Sequence, residues 1–232
     1  MPHPPSPAPT PHSDPREWRP QRPRPHRAAP AINNALVEPM WEGIRVIAHW
    51  EGAAGDRPRV VVLDELGDEV TDADADAALL EELRGALLAS DAVIDGFLTR
   101  QATRSGELVS TALVAQRGSF NPIFAPRVEV GTASPGASDE APVAFVAVDL
   151  LRVDGETLFD VPLLERKRLL DGVISASHRV RVSPYTQPPV DQWLSTWAAA
   201  GFRGVMLKAA NSRYRPGEET DDWATTLVRP GR

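Results

Sequence analysis

The chain of 232 residues has no cysteine, and only two of its 25 basic residues, Lys167 and Lys208, are lysines. The first absence excludes disulfides, thiolate nucleophiles and zinc–thiolate centres. The second leaves just two side-chain amines for any chemistry that needs one. No apolar run approaches the roughly 18 residues of a membrane span, so no membrane partner is expected. The chain opens without the apolar stretch of a signal peptide, and a cytoplasmic protein is expected. Phosphate-loop, dinucleotide-binding, H-E-x-x-H and G-x-S-x-G patterns are all missing. Beyond residue 30 the only histidines are His49 and His178, which read as structural, so a Ser-His-Asp hydrolase is not expected. What is present is an ordinary globular balance, 42% hydrophobic and 25% charged, which excludes disorder of the chain as a whole.

Residues 1–30 hold 11 of the 23 prolines and almost no aliphatic side chain. Proline removes the backbone donor and nothing here builds a core, so a disordered Pro/Arg-rich tail is expected, with a globular domain over 31–232. The tail carries five arginines against two acids, a net +3 that leaves −10 on the rest of a chain totalling −7. From Ile44 to Trp50 apolar and mostly polar residues alternate, as in a half-buried strand. Further strands are expected at Arg59–Leu63, Ala92–Leu98, Glu107–Ala115, Val143–Val153, Val180–Ser183, Phe202–Lys208 and Ala224–Val228. Helices are expected at Asp74–Ala89, Pro162–Ile174 and Pro189–Ala200, the last ending at Gly201. Gly131–Pro142 reads as a polar loop. Many strands with separated helices predict an α+β domain.

Four segments in order carry a more specific signal. They are Glu38-Pro-Met-Trp-Glu-Gly-Ile-Arg45, Ala92-Val-Ile-Asp-Gly-Phe97, Phe145 through Gly155, and Gly204-Val-Met-Leu-Lys208 followed by Tyr214-Arg-Pro-Gly217 and Asp222-Trp223. Together they resemble the adenylation domain of bacterial ATP-dependent DNA ligases over residues 36–232. The resemblance implies an ATP-grasp-like nucleotidyltransferase fold, antiparallel sheets flanked by helices, with ATP in the cleft between them. In that family a lysine amine attacks the α-phosphate of ATP, and AMP then passes to a 5′-phosphate at a nick. Such chemistry needs an amine, a divalent metal and cations against developing charge.

The nucleotide cleft implied by the resemblance is Trp41, Glu42, Gly43, Arg45, Asp95, Phe97, Val148, Arg203 and Lys208. The nucleophile position is Met40, and a thioether cannot form a phosphoramidate. Glu42 replaces the family's aspartate. Phe97 and Arg203 stand where the family has metal-side carboxylates, and neither supplies the hard oxygen that Mg²⁺ takes. Val148 replaces an aromatic face for adenine. A looser match at Asp64-Glu-Leu-Gly67 puts Glu65 where the family has an arginine. After Trp223 only Arg229 can stand in for two family lysines. Lys167, between Arg166 and Arg168, reads as exposed. Lys208 reads either as a retained phosphate contact or as a snorkelling surface lysine, and Arg45 as a nucleotide contact or a solvent-exposed edge residue.

These departures predict a catalytically degenerate domain, a pseudoenzyme with a binding or regulatory role related to DNA repair. ATP or AMP is its expected ligand and Mg²⁺ is not expected to bind. The acidic body predicts weak DNA binding or none, and a protein partner is the alternative. The matched segments stop with the last strand, so the C-terminal OB-fold of full ligases is expected to be absent. The competing expectations are an active nick-sealing ligase and a DNA-end or partner-binding module acting through the tail.

Overall fold

The computed structural model describes residues 14–52, 58–71, 74–104, 141–187, 197–198 and 201–227. In chain order the elements are β1 (Arg22–His26), β2 (Ala35–Pro39), β3 (Ile44–Glu51), β4 (Arg59–Asp64), α1 (Ala77–Ala86), β5 (Ala92–Thr99), α2 (Gln101–Arg104), β6 (Ala144–Val153), β7 (Glu156–Thr157), α3 (Leu163–Val173), β8 (Val180–Val182), β9 (Gly204–Ala209) and β10 (Glu219–Leu227). One sheet runs β1-β10-β9-β2. The other runs β4-β3-β5-β6-β7, with β8 joined to β6. Most pairings are antiparallel. The expected all-antiparallel arrangement is corrected at two places, where β1 runs parallel to β10 and β8 parallel to β6. The fold is α+β, as the sequence predicts.

One layer lies between the second sheet and α1. Val46, Ala48, Trp50, Ile94, Phe145 and Leu150 pack there against Leu79, Leu83 and Ala86. The helix presents these three at i, i+4 and i+7, the spacing of one buried stripe. It starts where the Asp76 carboxylate accepts the Leu79 N–H at 2.9 Å, capping a donor that the first turn leaves free. The helix is three residues shorter at each end than the sequence suggests.

The other layer lies between the two sheets, and it changes the reading of β3. Ile47 and His49 are as buried as Val46 and Ala48, so the strand is covered on both faces, not half-buried. The expected disordered tail is likewise corrected for residues 14–26, while residues 1–13 lie outside the described residues. Trp18 is 1% exposed and sits 4.5 Å from the Phe159 ring. β1 then extends the first sheet along β10. An aromatic anchor and a ready strand edge supply the burial and pairing that proline-rich composition hides. Arg22 directs its N–H to Glu218 O at 2.8 Å, and the strand carries Pro23 and Pro25 along the edge of the sheet, its register shifting between Pro23 and Arg24. With no N–H to offer, the two prolines blunt the edge against further strands.

The expected strand at 107–115, nearly all of the loop at 131–142 and most of the helix at 189–200 lie outside the described residues. Only Trp197 and Ala198 of that helix are described, and both are helical. Gly201 follows with φ +88°.

Candidate functional site

β2 and β3 meet at a turn that places Met40 beside β9. The Met40 N–H donates to Gly204 O at 2.9 Å. A Cβ on Gly204 would lie 3.2 Å from the Met40 thioether and 2.6 Å from Thr226 O, so only glycine lets the side chain lie over β9 here. Gly43 shapes the same turn: its φ is +133°, and a Cβ would come within 2.1 Å of Leu98 O.

The cleft residues named from the sequence separate into three groups. Trp41, Phe97 and Val148 are buried in one apolar cluster with Val37, Val205, Leu207, Trp197 and Phe202. The Trp41 indole N–H donates to Ser183 Oγ at 2.9 Å, and its ring meets Phe202 edge-on at 4.8 Å.

Glu42 and Arg203 form the second group, at the rim, where they pair at 2.9 Å and are largely exposed. Each neutralises the other. Beside them the Glu42 N–H donates to Gln101 Oε1 at 3.1 Å, and Gln101 Nε2 donates to Gly201 O at 3.2 Å. The β2–β3 turn, the start of α2 and the turn at Gly201 are thereby joined at the rim of the apolar cluster.

Arg45, Asp95 and Lys208 belong to a buried ionic layer. Arg45 Nε and Nη2 donate to Asp95 Oδ1 and Oδ2, both at 2.6 Å, and its guanidinium lies 4.6 Å from the Phe97 ring centre. Its side chain is 11% exposed, which overturns the exposed-edge reading. Burial would lower the arginine's pKa, but the Asp95 carboxylate outweighs it and holds the pKa above the ordinary value. Tyr214 Oη donates to Asp95 Oδ2 at 2.8 Å and accepts the Gln21 N–H at 2.9 Å.

Lys208 is fully buried and therefore not a snorkelling surface residue. Its Nζ lies 3.1 Å from Glu38 Oε1 and 4.3 Å from the centre of the Trp223 ring. Lys167, expected to be exposed, is also 0% exposed and lies 2.9 Å from the same Glu38 oxygen. Beside them Arg166 grips Asp149 with Nε and Nη2, both at 2.8 Å. Burial lowers Lys208 to about 8 against the pull of Glu38. For Glu38 and Asp149, burial pushes upward but is outweighed by the neighbouring cations, so both carboxyls stay below the usual carboxylate range.

Glu38, Asp149 and Tyr214 enter the sequence reading only as members of the matched segments, and the inward placement of Arg166 and Lys167 escapes it. A usable signal exists. Leu163, Arg166, Lys167 and Leu170 fall at i, i+3, i+4 and i+7, and these are the buried residues of α3. The looser nucleotide match at Asp64–Gly67 is a turn: Asp64 Oδ1 accepts the N–H groups of Leu66, Gly67 and Asp68. Glu65 is exposed there. Arg229 lies outside the described residues.

Comparison with known proteins accounts for this two-sheet arrangement. The chain belongs to the ATP dependent DNA ligase domain family, which it matches over residues 28–225. It is 27% identical over 196 residues to a DNA ligase of Archaeoglobus fulgidus, covering 83% of this chain and 32% of that protein. It is 28% identical over 221 residues to a probable DNA ligase of Streptomyces griseus, covering 88% and 39%. The chain thus spans well under half the length of these relatives. In fold it is similar to a mycobacterial DNA ligase D complexed with ATP and MES, with a TM-score of 0.60 and 21% identity over 93% of this chain and 62% of that one. The ligase domain of M. tuberculosis LigD gives a TM-score of 0.56 at 21% identity, covering 90% and 59%. No helix among the described residues is long and apolar enough to cross a membrane.

Proposed function

We propose that this domain keeps the ligase adenylation fold but has lost lysine adenylation, and serves as a binding or regulatory module in DNA repair. The observation that carries this reading is the fate of the two lysines. The nucleophile position holds Met40, and the chain's only two side-chain amines are both buried against the single carboxylate of Glu38. An amine so held lacks the access that attack on an α-phosphate requires.

The residues present do not fit a catalytic Mg²⁺. At the metal-side positions, Phe97 is apolar and stacked under Arg45, and Arg203 is a cation already paired with Glu42. Mg²⁺ takes oxygen ligands in near-octahedral geometry, and these two positions supply none. In this reading any ATP or AMP binds without metal, through Arg45 and Arg203, after those arginines exchange partners. The acidic body disfavours DNA phosphates, and on charge grounds the principal partner in this reading is a protein.

The test is transfer of label from α-³²P-ATP to the purified protein with Mg²⁺, read on a denaturing gel. No labelled band is expected from the native chain or from Met40→Lys alone, because the metal-side carboxylates remain absent. The reading fails if the native chain labels. Peptide mapping would then show whether Lys208, the amine whose pKa burial lowers to about 8, carries the AMP. That outcome would favour an active nucleotidyltransferase.

A further inference from the structure

The N-terminal segment crosses the seam between the two sheets. On the β3–β4 side Arg16 Nε and Nη2 grip Glu51 Oε1 at 3.0 and 2.6 Å, and Arg19 Nε reaches Leu66 O at 3.1 Å. On the β10 side Arg19 O accepts the Gly217 N–H at 2.9 Å. Gln21 Nε2 donates to Thr220 Oγ1 at 3.0 Å, and its Oε1 accepts the Arg215 N–H at 2.7 Å. Between these anchors Trp18 packs in one cluster with Ile47 and Val93.

His49 lies on the same face, two residues along β3 from Ile47. It is 2% exposed, and its Nε2 has no hydrogen-bond partner. Its cross-strand neighbours are Val61 on β4 and Val93 on β5, neither of which can answer a charge. The charged groups acting on it are Glu51 on its own strand and Asp14, Arg16 and Arg19 in the segment above. Glu51, the carboxylate with the strongest pull on His49, is already gripped by Arg16. An imidazolium at this position would be buried, with no acceptor for its Nε2–H and with the charges of Arg16 and Arg19 opposing it.

We propose that residues 14–26 are an acid-released strap and that protonation of His49 detaches it. A neutral ring is tolerated among valines, and a charged one is not. Burial holds His49 at about 4 while the strap is on. Detachment returns the ring to water and to its ordinary value of about 6.5. Protons therefore bind the detached form more strongly, and acid favours it. Release withdraws the Gln21 N–H from Tyr214, whose hydroxyl holds Asp95 against Arg45, so the state of the strap reaches the cleft. This device does not depend on whether adenylation has been lost.

The test is amide hydrogen exchange on the full chain at about pH 5 and pH 7.5, corrected for the intrinsic pH dependence of exchange. The strap amides at Gln21 and Arg22 are expected to lose about 30-fold in protection at the lower pH, with Val93 and Ile94 in β5 unaffected. In His49→Gln the ratio between the two pH values should shrink to within about twofold. Equal loss in His49→Gln would overturn the proposal by assigning release to the carboxylates. Parallel loss in β5 would overturn it by showing global unfolding. A measurement on the native chain alone gives the same decision: the midpoint of strap release must follow the titration of the His49 ring protons by NMR, and independent midpoints would sink the idea.

Discussion

The two buried layers of this domain differ in what they hold besides apolar packing. Between the second sheet and α1 the contacts are aliphatic and aromatic, joined by the Trp50 indole N–H donating to Leu83 O at 2.7 Å. The other layer, where β2 and β9 of the first sheet and α3 meet β5 and β6, buries Glu38, Asp95, Asp149, Arg166, Lys167 and Lys208, none more than 2% exposed. In the first layer every side chain contributes by leaving water. In the second a charge is tolerated only because its partner is present, and removing one partner leaves the other buried and bare. The contrast separates packing that is indifferent to charge from packing that holds only while every charge keeps its partner.

The largest effect should come from breaking the ionic layer at its hub. Glu38→Gln leaves two buried ammonium groups without a counter-charge and should cost about 3–5 kcal/mol in urea unfolding. Replacing Glu38, Lys167 and Lys208 together by Met should recover most of that loss. If the triple variant is as unstable as the single one, the layer's charges are not what the hub compensates.

Leu83→Ala in the apolar layer should cost about 2–5 kcal/mol, with no recovery available from any charge change nearby. The two layers should also differ in their response to pH. His49 has a folded value below its unfolded one, so the unfolded chain takes up protons first, and stability should fall as pH drops from about 6.5 toward 4, by on the order of 3 kcal/mol. His49→Leu should flatten that slope. Lys208 is lowered as well. Between about pH 8 and its ordinary value the unfolded chain again holds the extra proton, so stability should rise with pH there. Lys208→Met should remove the rise.

The smallest effect belongs to the rim. Arg203→Ala breaks an ion pair whose side chains are 77% and 45% exposed and should change stability by less than about 1 kcal/mol. A larger loss would mean that the rim contacts, and not the buried layers alone, hold this end of the domain together.

Much of the fold is legible in the chain because its signals are local. The runs at Arg59–Leu63, Ala92–Leu98 and Val143–Val153 and the Leu79/Leu83/Ala86 stripe are set by nearest neighbours, and β4, β5, β6 and α1 appear where those patterns lie. The ordered motif segments likewise point to a family that the match over residues 28–225 bears out. Residues 14–26 are different. Nothing local marks Arg22–His26 as a strand, since its partner is β10, almost 200 residues away. Trp18 in isolation is only one aromatic among prolines.

The site divides along the same line. Sequence alone determines which atoms are available: a thioether at Met40, a phenyl ring at Phe97, a guanidinium at Arg203, and two amines in the whole chain. No folding changes those identities. Tertiary structure alone decides where the two amines go. Beside Arg166 and Arg168, Lys167 has the composition of a solvated face, and its charge argues for water. The fold turns it inward because Glu38, brought close by pairing β2 with β9 and packing α3 beside them, supplies a counter-charge at 2.9 Å. Pairing of opposite charges out of water depends on distances across the fold, and those distances exist only once both sheets are assembled.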